Sequence, residues 1–224
     1  MKMERADWIK ISILVLIFAW GITGSYFILK PERKLPIYNP SDLDRRLVVD
    51  SLQRKGRKHR TLPFKLVNQY GDTITEKDLK GKIYVADFFF TVCPDICKDM
   101  AAQKRRLQEA LKADDDFVIV SHSVTPVYDS VPVLYEYGER HGAIRGKWHL
   151  LTGPKQEIYR LARQSYFAVL DEGGKGDEND FIHTENFVLV DKKNRLRGFY
   201  DGTNPAEVDQ LIEDINLLAE ISKD

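Results

Sequence analysis

The sequence predicts an α/β fold, a mixed sheet flanked by helices, preceded by an N-terminal transmembrane helix. From Thr61 onward, segments of strand composition alternate with segments of helical spacing, which indicates an α/β sandwich. Lys82 to Phe90 is a nearly unbroken run of β-branched and aromatic residues, as expected of a strand covered on both faces. Near the N-terminus, Ile11 to Leu29 carries no charge.

Residues 1–30 are predicted to be a membrane anchor, with a helix over about 11–29. As a helix this run spans about 28 Å, close to the hydrocarbon thickness of a bilayer. Trp8 and Tyr26 lie near its two ends, where aromatic rings prefer the membrane interface. A cleaved signal peptide is the alternative, but its apolar core is usually shorter and no small-x-small cleavage site follows.

Two further regions complete the predicted organisation. Residues 31–60, which are rich in proline and basic side chains, are predicted to be a stalk or linker. Residues 61–224 are predicted to be a single α/β domain. The chain has 34 Lys+Arg and 34 Asp+Glu, so no net charge favours nucleic acid as a partner.

Within the domain, the elements follow from composition, spacing and turn residues. A hairpin with Gly71 and Asp72 at its turn comes first, and a second hairpin turns at Lys192 to Asn194. Between and after them we predict strands over 82–90, 116–124 and 147–153, and helices over 98–111, 131–142, 154–166 and 204–223. Gly142 is placed to end the second helix, and Asn204 with Pro205 to begin the last.

The two cysteines of the chain, Cys93 and Cys97, lie where the 82–90 strand gives way to a helix. Pro94 suits a first helical position, so we expect Cys93 at the cap and Cys97 one turn into the helix. Side chains four apart share a helix face, so both sulfurs can converge on one point. The positive end of the helix dipole is expected to favour thiolate there. A strand that runs into such a helix suggests a thioredoxin-like arrangement.

Three interpretations of this pair remain open from the residues alone. A structural disulfide would close a short loop and gain little stability. A redox pair is possible, although the usual spacing is C-x-x-C. A metal site needs a further ligand, since two thiolates alone complete only a linear Cu(I) site. His183, just before a predicted strand and after the acidic loop 171–180, is the candidate third ligand, although a lone histidine is a weak signal.

At this point the residues resemble a known family. "FFFTVCPDIC" (88–97) resembles the T-x-C-P-D-[IV]-C signature of the Sco/SenC family. Four further segments are similar to family segments in the same order, from "TLPFKLVNQYGDTIT" through "VTPVYDSVPVLYEYGERHG" and "WHLLTGPKQEIYRLA" to "FIHTENFVLVDKKNRLRGFYDG". The resemblance covers the chain from about Thr61 to its end.

The resemblance implies a thioredoxin-like copper-binding protein that assembles the dinuclear copper centre of cytochrome c oxidase subunit II. It implies copper, as Cu(I) or Cu(II), held by Cys93, Cys97 and His183. It also implies a single-pass protein with a cytoplasmic N-terminus and a domain in the periplasm, or in the mitochondrial intermembrane space of a eukaryote. A copper donor or a thiol reductant would be its other partner.

Two positions depart from the family pattern. Lys98 replaces a proline after the second cysteine, and we expect this cation to lower the thiol pKa further. Thr125 replaces an aspartate, while Asp129 matches the second acidic position of that segment. The main alternative function is a tethered thiol–disulfide oxidoreductase with Cys93 and Cys97 as its redox pair. A zinc site with a bound water also fits the ligand count.

Overall fold

The protein is described by a computed structural model over residues 5–29, 34–48, 58–93, 96–169, 182 and 184–222. It divides into two compact units, Met1–Lys34 and Leu35–Asp224. The first contains helix α1, Arg5–Leu29, which is 25 residues long. Within the part of the chain that the structure describes, no helix qualifies by length and hydropathy as a membrane span.

The second unit is built on a seven-stranded sheet with the order β2-β1-β5-β4-β3-β6-β7. The strands are β1 (Lys65–Asn68), β2 (Thr73–Thr75), β3 (Ile83–Phe89), β4 (Phe117–Ser123), β5 (Trp148–Thr152), β6 (Asn186–Val190) and β7 (Leu196–Asp201). β4 pairs in parallel with β3 and β5, and the remaining pairs are antiparallel. The predicted mixed sheet is therefore confirmed.

The helices of this unit are α2 (Ile96–Ala110), α3 (Val131–His141), α4 (Lys155–Arg160) and α5 (Pro205–Ile221). α3 ends as predicted, with Gly142 in the left-handed region at φ 71°. The Asn204 side chain accepts a hydrogen bond from the Ala206 N–H at 3.0 Å, so the predicted cap of α5 is also confirmed.

Alternate residues of β3 point to opposite faces of the sheet, and both faces are covered. Ile83, Val85 and Phe89 pack in one cluster with side chains of α2, α3 and α5. Tyr84, Ala86 and Phe88 pack in a second cluster with α4 and the turn that follows it. This arrangement explains why the 82–90 run is apolar throughout, and it places the two cysteines in the first cluster.

The predicted helix over 154–166 changes character halfway. α4 ends at Arg160, and Leu161–Ser165 forms a π-helical turn. There the Tyr166 N–H donates to the Leu161 carbonyl five residues earlier, at 2.9 Å. Phe167 follows with a φ of 49°. A helical apolar pattern does not distinguish these hydrogen-bond registers, so the sequence predicts one continuous helix.

Part of the segment predicted to be a stalk packs on the sheet. The Tyr38 N–H donates to the Leu196 carbonyl at 2.9 Å. Arg197 of β7, which is buried, donates to the carbonyls of Leu35 and Pro36, each at 2.7 Å. Residues 35–38 therefore extend the edge of the domain.

Candidate metal-binding site

The two cysteines lie where β3 ends and α2 begins. β3 ends at Phe89, a turn over Thr91 and Val92 follows, and Cys97 is the second residue of α2. Both thiols are free and almost buried, with 7% of Cys93 and 4% of Cys97 exposed. The Cys97 thiol and Cys93 share a hydrogen bond. The predicted convergence of the two sulfurs is thus present in the structure.

Burial opposes the lowering of the thiol pKa that is expected at the start of a helix. Loss of solvent raises the pKa of the Cys97 thiol above its ordinary value, and its hydrogen bond with Cys93 raises that pKa further. A backbone hydrogen bond with Phe90 and the charge of Lys104 act in the opposite direction but are weaker. The expectation of a favoured thiolate at Cys97 is therefore wrong for the metal-free protein.

The cation that lowers the pKa of Cys97 is Lys104 of α2. Lys98, which we expected to have this effect, is exposed. Lys104 is fully buried and its Nζ lies 2.5 Å from a carboxylate oxygen of Asp87 in β3. It also donates to Ser121 Oγ at 3.1 Å and lies 5.0 Å from the ring centroid of Trp148. A buried ion pair thus lies within the cluster that contains the cysteines.

Asp129, in the loop after β4, holds the turn that precedes Cys93. Its carboxylate accepts hydrogen bonds from the Thr91 hydroxyl at 2.5 Å and from the Thr91 N–H at 3.3 Å. The hydroxyls of Ser123 and Thr125 donate to it at 2.5 and 3.0 Å. Asp129 is fully buried, so these bonds tie the cysteine turn firmly to the end of β4.

His183 lies outside the described residues, as do Pro94, Asp95 and the acidic loop 171–180. Its neighbours Ile182 and Thr184 are described, and both are buried. The Thr184 hydroxyl donates to the Ala168 carbonyl at 3.0 Å. Among the described residues, no group of three or more His, Cys, Asp or Glu side chains could hold a metal ion.

A chain of hydrogen bonds connects Ile182 to the strand that leads into the cysteine turn. The Ile182 N–H donates to the Tyr159 hydroxyl at 3.4 Å, and that hydroxyl donates to the Val124 carbonyl at 3.1 Å. The Val124 N–H in turn donates to the Phe89 carbonyl at 2.9 Å. Sequence patterns carried no signal for Tyr159, because the role of this residue depends on which segments meet.

His122 is a histidine of the protein core. It lies in β4, is fully buried, and stacks on Phe88 with the ring centroids 4.9 Å apart. Its Nδ1 lies 3.1 Å from the Asp87 carbonyl oxygen. Burial lowers the pKa of His122 to about 4, so the imidazole is neutral at pH 7. It is a packing residue of the second cluster, on the other side of the sheet from the cysteines.

Comparison with known proteins identifies the family. A family model described as SCO1/SenC matches residues 53–220. A SCO1 protein homolog of Bacillus subtilis (strain 168) is 34% identical over 155 residues, which cover 68% of this chain and 79% of that protein. The chain belongs to the SCO1/SenC family.

Two solved structures extend the comparison. BsSco, described as a member of the Sco family of cytochrome c oxidase assembly proteins with a disulfide switch, matches at a TM-score of 0.60 and 31% identity. The match covers 71% of this chain and 93% of BsSco. Arabidopsis thaliana ScoI, solved with copper bound, matches at a TM-score of 0.56 and 28% identity over 70% of this chain and 98% of its own. The thioredoxin-like fold predicted from the sequence is thereby confirmed.

Proposed function

We propose that this protein binds copper through Cys93, Cys97 and His183 and helps to assemble the dinuclear copper centre of cytochrome c oxidase subunit II. One observation carries the proposal. Two reduced, nearly buried thiols share a hydrogen bond at the start of α2, in a chain of the SCO1/SenC family. Copper is the cargo of this site, received from a donor and passed to the oxidase.

The donor set suits copper in both oxidation states. Two thiolates are soft ligands that suit Cu(I), and an added imidazole also accommodates Cu(II). Copper heads the affinity order of the divalent first-row metals, so no special device is needed to prefer it to zinc. Three protein ligands leave one coordination position open, at which a thiolate of the acceptor can bind during transfer.

The described neighbours of His183 support its inclusion. Ile182 is linked through Tyr159 and Val124 to Phe89, four residues before Cys93. Because these contacts join the flank of His183 to the strand that carries the cysteine turn, an imidazole from this segment is a natural third ligand. Among the described residues, no histidine lies with the two cysteines in an arrangement that could hold a metal ion.

Burial of the thiols defines how the site works without metal. Because loss of solvent raises the pKa of Cys97, the metal-free site keeps this thiol protonated. Thiols must lose their protons to bind a metal, so loading releases protons to solvent. The protonated state limits unwanted oxidation of the pair between loading events.

We further propose that α1 anchors the domain in a membrane, with the N-terminus in the cytoplasm and the domain in the periplasm or the intermembrane space. The uncharged run of 11–29 falls within α1. Large apolar side chains of this helix are exposed, among them Leu14, Leu16, Phe18 and Trp20. A bilayer is the environment that favours such a helix.

A thiol–disulfide oxidoreductase is the second candidate. The hydrogen bond between Cys93 and Cys97 places the sulfurs close enough for a disulfide to form after a modest rearrangement. BsSco is described as having a disulfide switch. In this role the pair would reduce the cysteines of the oxidase copper site, and His183 would not be needed.

The proposal is tested by titrating the reduced, metal-free full-length protein in detergent with Cu(I) and then with Cu(II). We expect one equivalent of each to bind, with a thiolate-to-copper charge-transfer band for Cu(II), and we expect Cys93→Ser or Cys97→Ser to abolish tight binding. Ser41→Ala, a change at an exposed position outside the cysteine site, provides a control that keeps both sulfurs. Rapid reaction with a disulfide substrate but no tight copper binding would favour the oxidoreductase instead.

A further inference from the structure

The hydroxyl of Tyr159 joins two segments that are far apart in the sequence. Tyr159 lies on α4, and its side chain is buried in the second apolar cluster. The hydroxyl accepts a hydrogen bond from the Ile182 N–H at 3.4 Å and donates one to the Val124 carbonyl at 3.1 Å. Because Val124 directly follows β4, this one group ties the segment before β6 to the end of a central strand of the sheet.

Two neighbouring cations restrict the ring of Tyr159. The Lys155 Nζ lies 4.9 Å from the ring centroid, and the guanidinium carbon of Arg163 lies 5.4 Å from it. Both distances are within the range at which a cation is attracted to an aromatic face. A ring that is buried and also contacted by two cations has little freedom to rotate, so its hydroxyl stays at the Ile182 N–H.

The Ala168 carbonyl is a second point of attachment for the same segment. It accepts hydrogen bonds from the Thr184 hydroxyl at 3.0 Å and from the Asn186 side-chain amide at 3.1 Å. Ala168 follows the π-helical turn Leu161–Ser165 and Phe167, whose φ is 49°. π-Helical turns and left-handed backbone at a bulky residue are both uncommon, and they persist where the surrounding contacts require them.

The segment before β1 holds this turn from another direction. The His59 Nε2 lies 2.8 Å from the Ser165 carbonyl oxygen, and the Leu62 N–H donates to the Ser165 hydroxyl at 2.8 Å. The His59 ring also packs on Phe167, with the ring centroids 4.8 Å apart. α4 and the turn that follows it therefore form a firmly held support, to which the segment before β6 is attached at two points.

In the sequence, His183 falls between Ile182 and Thr184, and each of these neighbours is bound to this support. We propose that Tyr159 is a positioning residue whose hydroxyl holds the segment that supplies the imidazole ligand to copper. A ligand on a segment already held in place loses less conformational freedom when it binds. Two thiolates complete a linear Cu(I) site without the imidazole, so Tyr159 acts mainly on Cu(II) binding. The inference rests on the proposed function and deepens it.

The test compares Tyr159→Phe with the wild type and with Tyr166→Phe in the reduced full-length protein. Tyr166 is a matched control, because it is also buried in the second cluster and its hydroxyl lies 3.5 Å from that of Tyr84. We expect Tyr159→Phe to lower the affinity for Cu(II) about tenfold, as for other changes to groups that orient a metal ligand. The affinity for Cu(I) should stay near the wild-type value, and Tyr166→Phe should change neither.

A double-variant measurement separates positioning of the ligand from general support of the fold. In the His183→Ala background, Tyr159→Phe is expected to have no further effect on the remaining Cu(II) affinity, because both changes act through the same ligand. If Tyr159→Phe lowers the affinities for Cu(I) and Cu(II) equally, or lowers Cu(II) affinity as much in the His183→Ala background as in the wild type, the inference is wrong.

Hydrogen–deuterium exchange of the metal-free protein supplies a measurement without copper. Tyr159→Phe leaves the buried Ile182 N–H without its acceptor, so the amides of 182–186 should exchange faster while those of β4 exchange as in the wild type. Unchanged exchange at 182–186 would overturn the inference. If the wild type binds neither Cu(I) nor Cu(II), the proposed function fails and the inference fails with it. If the wild type binds Cu(II) and Tyr159→Phe binds it equally well, only the inference fails.

Discussion

Asp87 and Asp129 are both fully buried near the ends of neighbouring strands, yet their surroundings differ in kind. Asp87 is paired with the cation of Lys104 at 2.5 Å. Among the described residues, Asp129 accepts its hydrogen bonds from three hydroxyls and one N–H group. The first arrangement neutralises charge inside the core, and the second uses a carboxylate to shape the turn that leads into Cys93.

The comparison teaches that the cysteine site has two separate supports. The ion pair lies within the apolar cluster, and the positive charge of Lys104 lowers the pKa of the Cys97 thiol. Asp129 lies in the loop after β4, and its hydrogen bonds to Thr91 hold the turn that leads into Cys93. Stability should therefore depend most on the first, and copper binding on the second.

Loss of Lys104 should have the largest effect on stability. Lys104→Met leaves the Asp87 carboxylate buried without its cation, which is expected to lower the free energy of unfolding by about 3–5 kcal/mol. Urea unfolding measures this change, with Lys112→Met at an exposed position as the control. The double variant Lys104→Met with Asp87→Leu should recover most of the loss. A single-variant loss below about 1 kcal/mol would show that the pair is not coupled to the core.

His122, whose ring nitrogen approaches the Asp87 carbonyl, should make stability depend on pH. Its pKa in the folded state is about 4, below the ordinary value of 6.5, so unfolding takes up a proton in this range. Its contribution is complete above pH 6.5 and is lost as the pH falls towards 4, by about 3 kcal/mol in all.

His122→Phe, in a pocket that already contains Phe64, Phe88 and Tyr166, should remove this dependence. The measurement is the urea midpoint at several pH values between 7 and 4. His141→Gln, at a partly exposed position, should change the slope much less. If the urea midpoint of His122→Phe falls with pH as steeply as that of the wild type, the acid sensitivity comes from other groups.

Asp129→Asn should have a smaller effect on stability and a clear effect on copper. In the wild type the neighbouring hydroxyls donate to the carboxylate, whereas the asparagine side chain presents its own N–H donors to them. Because donors then face donors, we expect a loss of about 2 kcal/mol in the free energy of unfolding. Because Thr91 is then released, the copper affinity should fall about tenfold. Asp78→Asn, which removes the carboxylate that accepts from Thr75 at an exposed turn, is the matched control. Copper affinity that stays at the wild-type value would separate Asp129 from the site.

The sequence predicted the strands and the cysteine pair because these depend on local composition and spacing. Asp129 and Thr91 are 38 residues apart, and Lys104 and Asp87 are 17 apart, so their contacts follow from strand register and helix packing. The pKa of Cys97 was predicted in the wrong direction for the same reason. A helix start is visible in a sequence, but the loss of solvent around a particular thiol is set by the packed tertiary structure.

Tyr137 shows the same limit from another side. At helical spacing it resembles any aromatic residue of an apolar helix face. Only the packed structure shows that its hydroxyl is buried and unpaired among the described residues. The π-helical turn after α4 also depends on packing, since the sequence there is compatible with an ordinary helix.

The most direct test of the central claim is the affinity of the full-length His183→Ala protein for Cu(II) and Cu(I), measured beside the wild type and His149→Ala. A site of two cysteines and one histidine predicts that His183→Ala weakens Cu(II) strongly and Cu(I) much less, because two thiolates alone satisfy linear Cu(I). His149→Ala should change neither. Equal affinity for Cu(II) in the His183→Ala protein and the wild type would contradict the account.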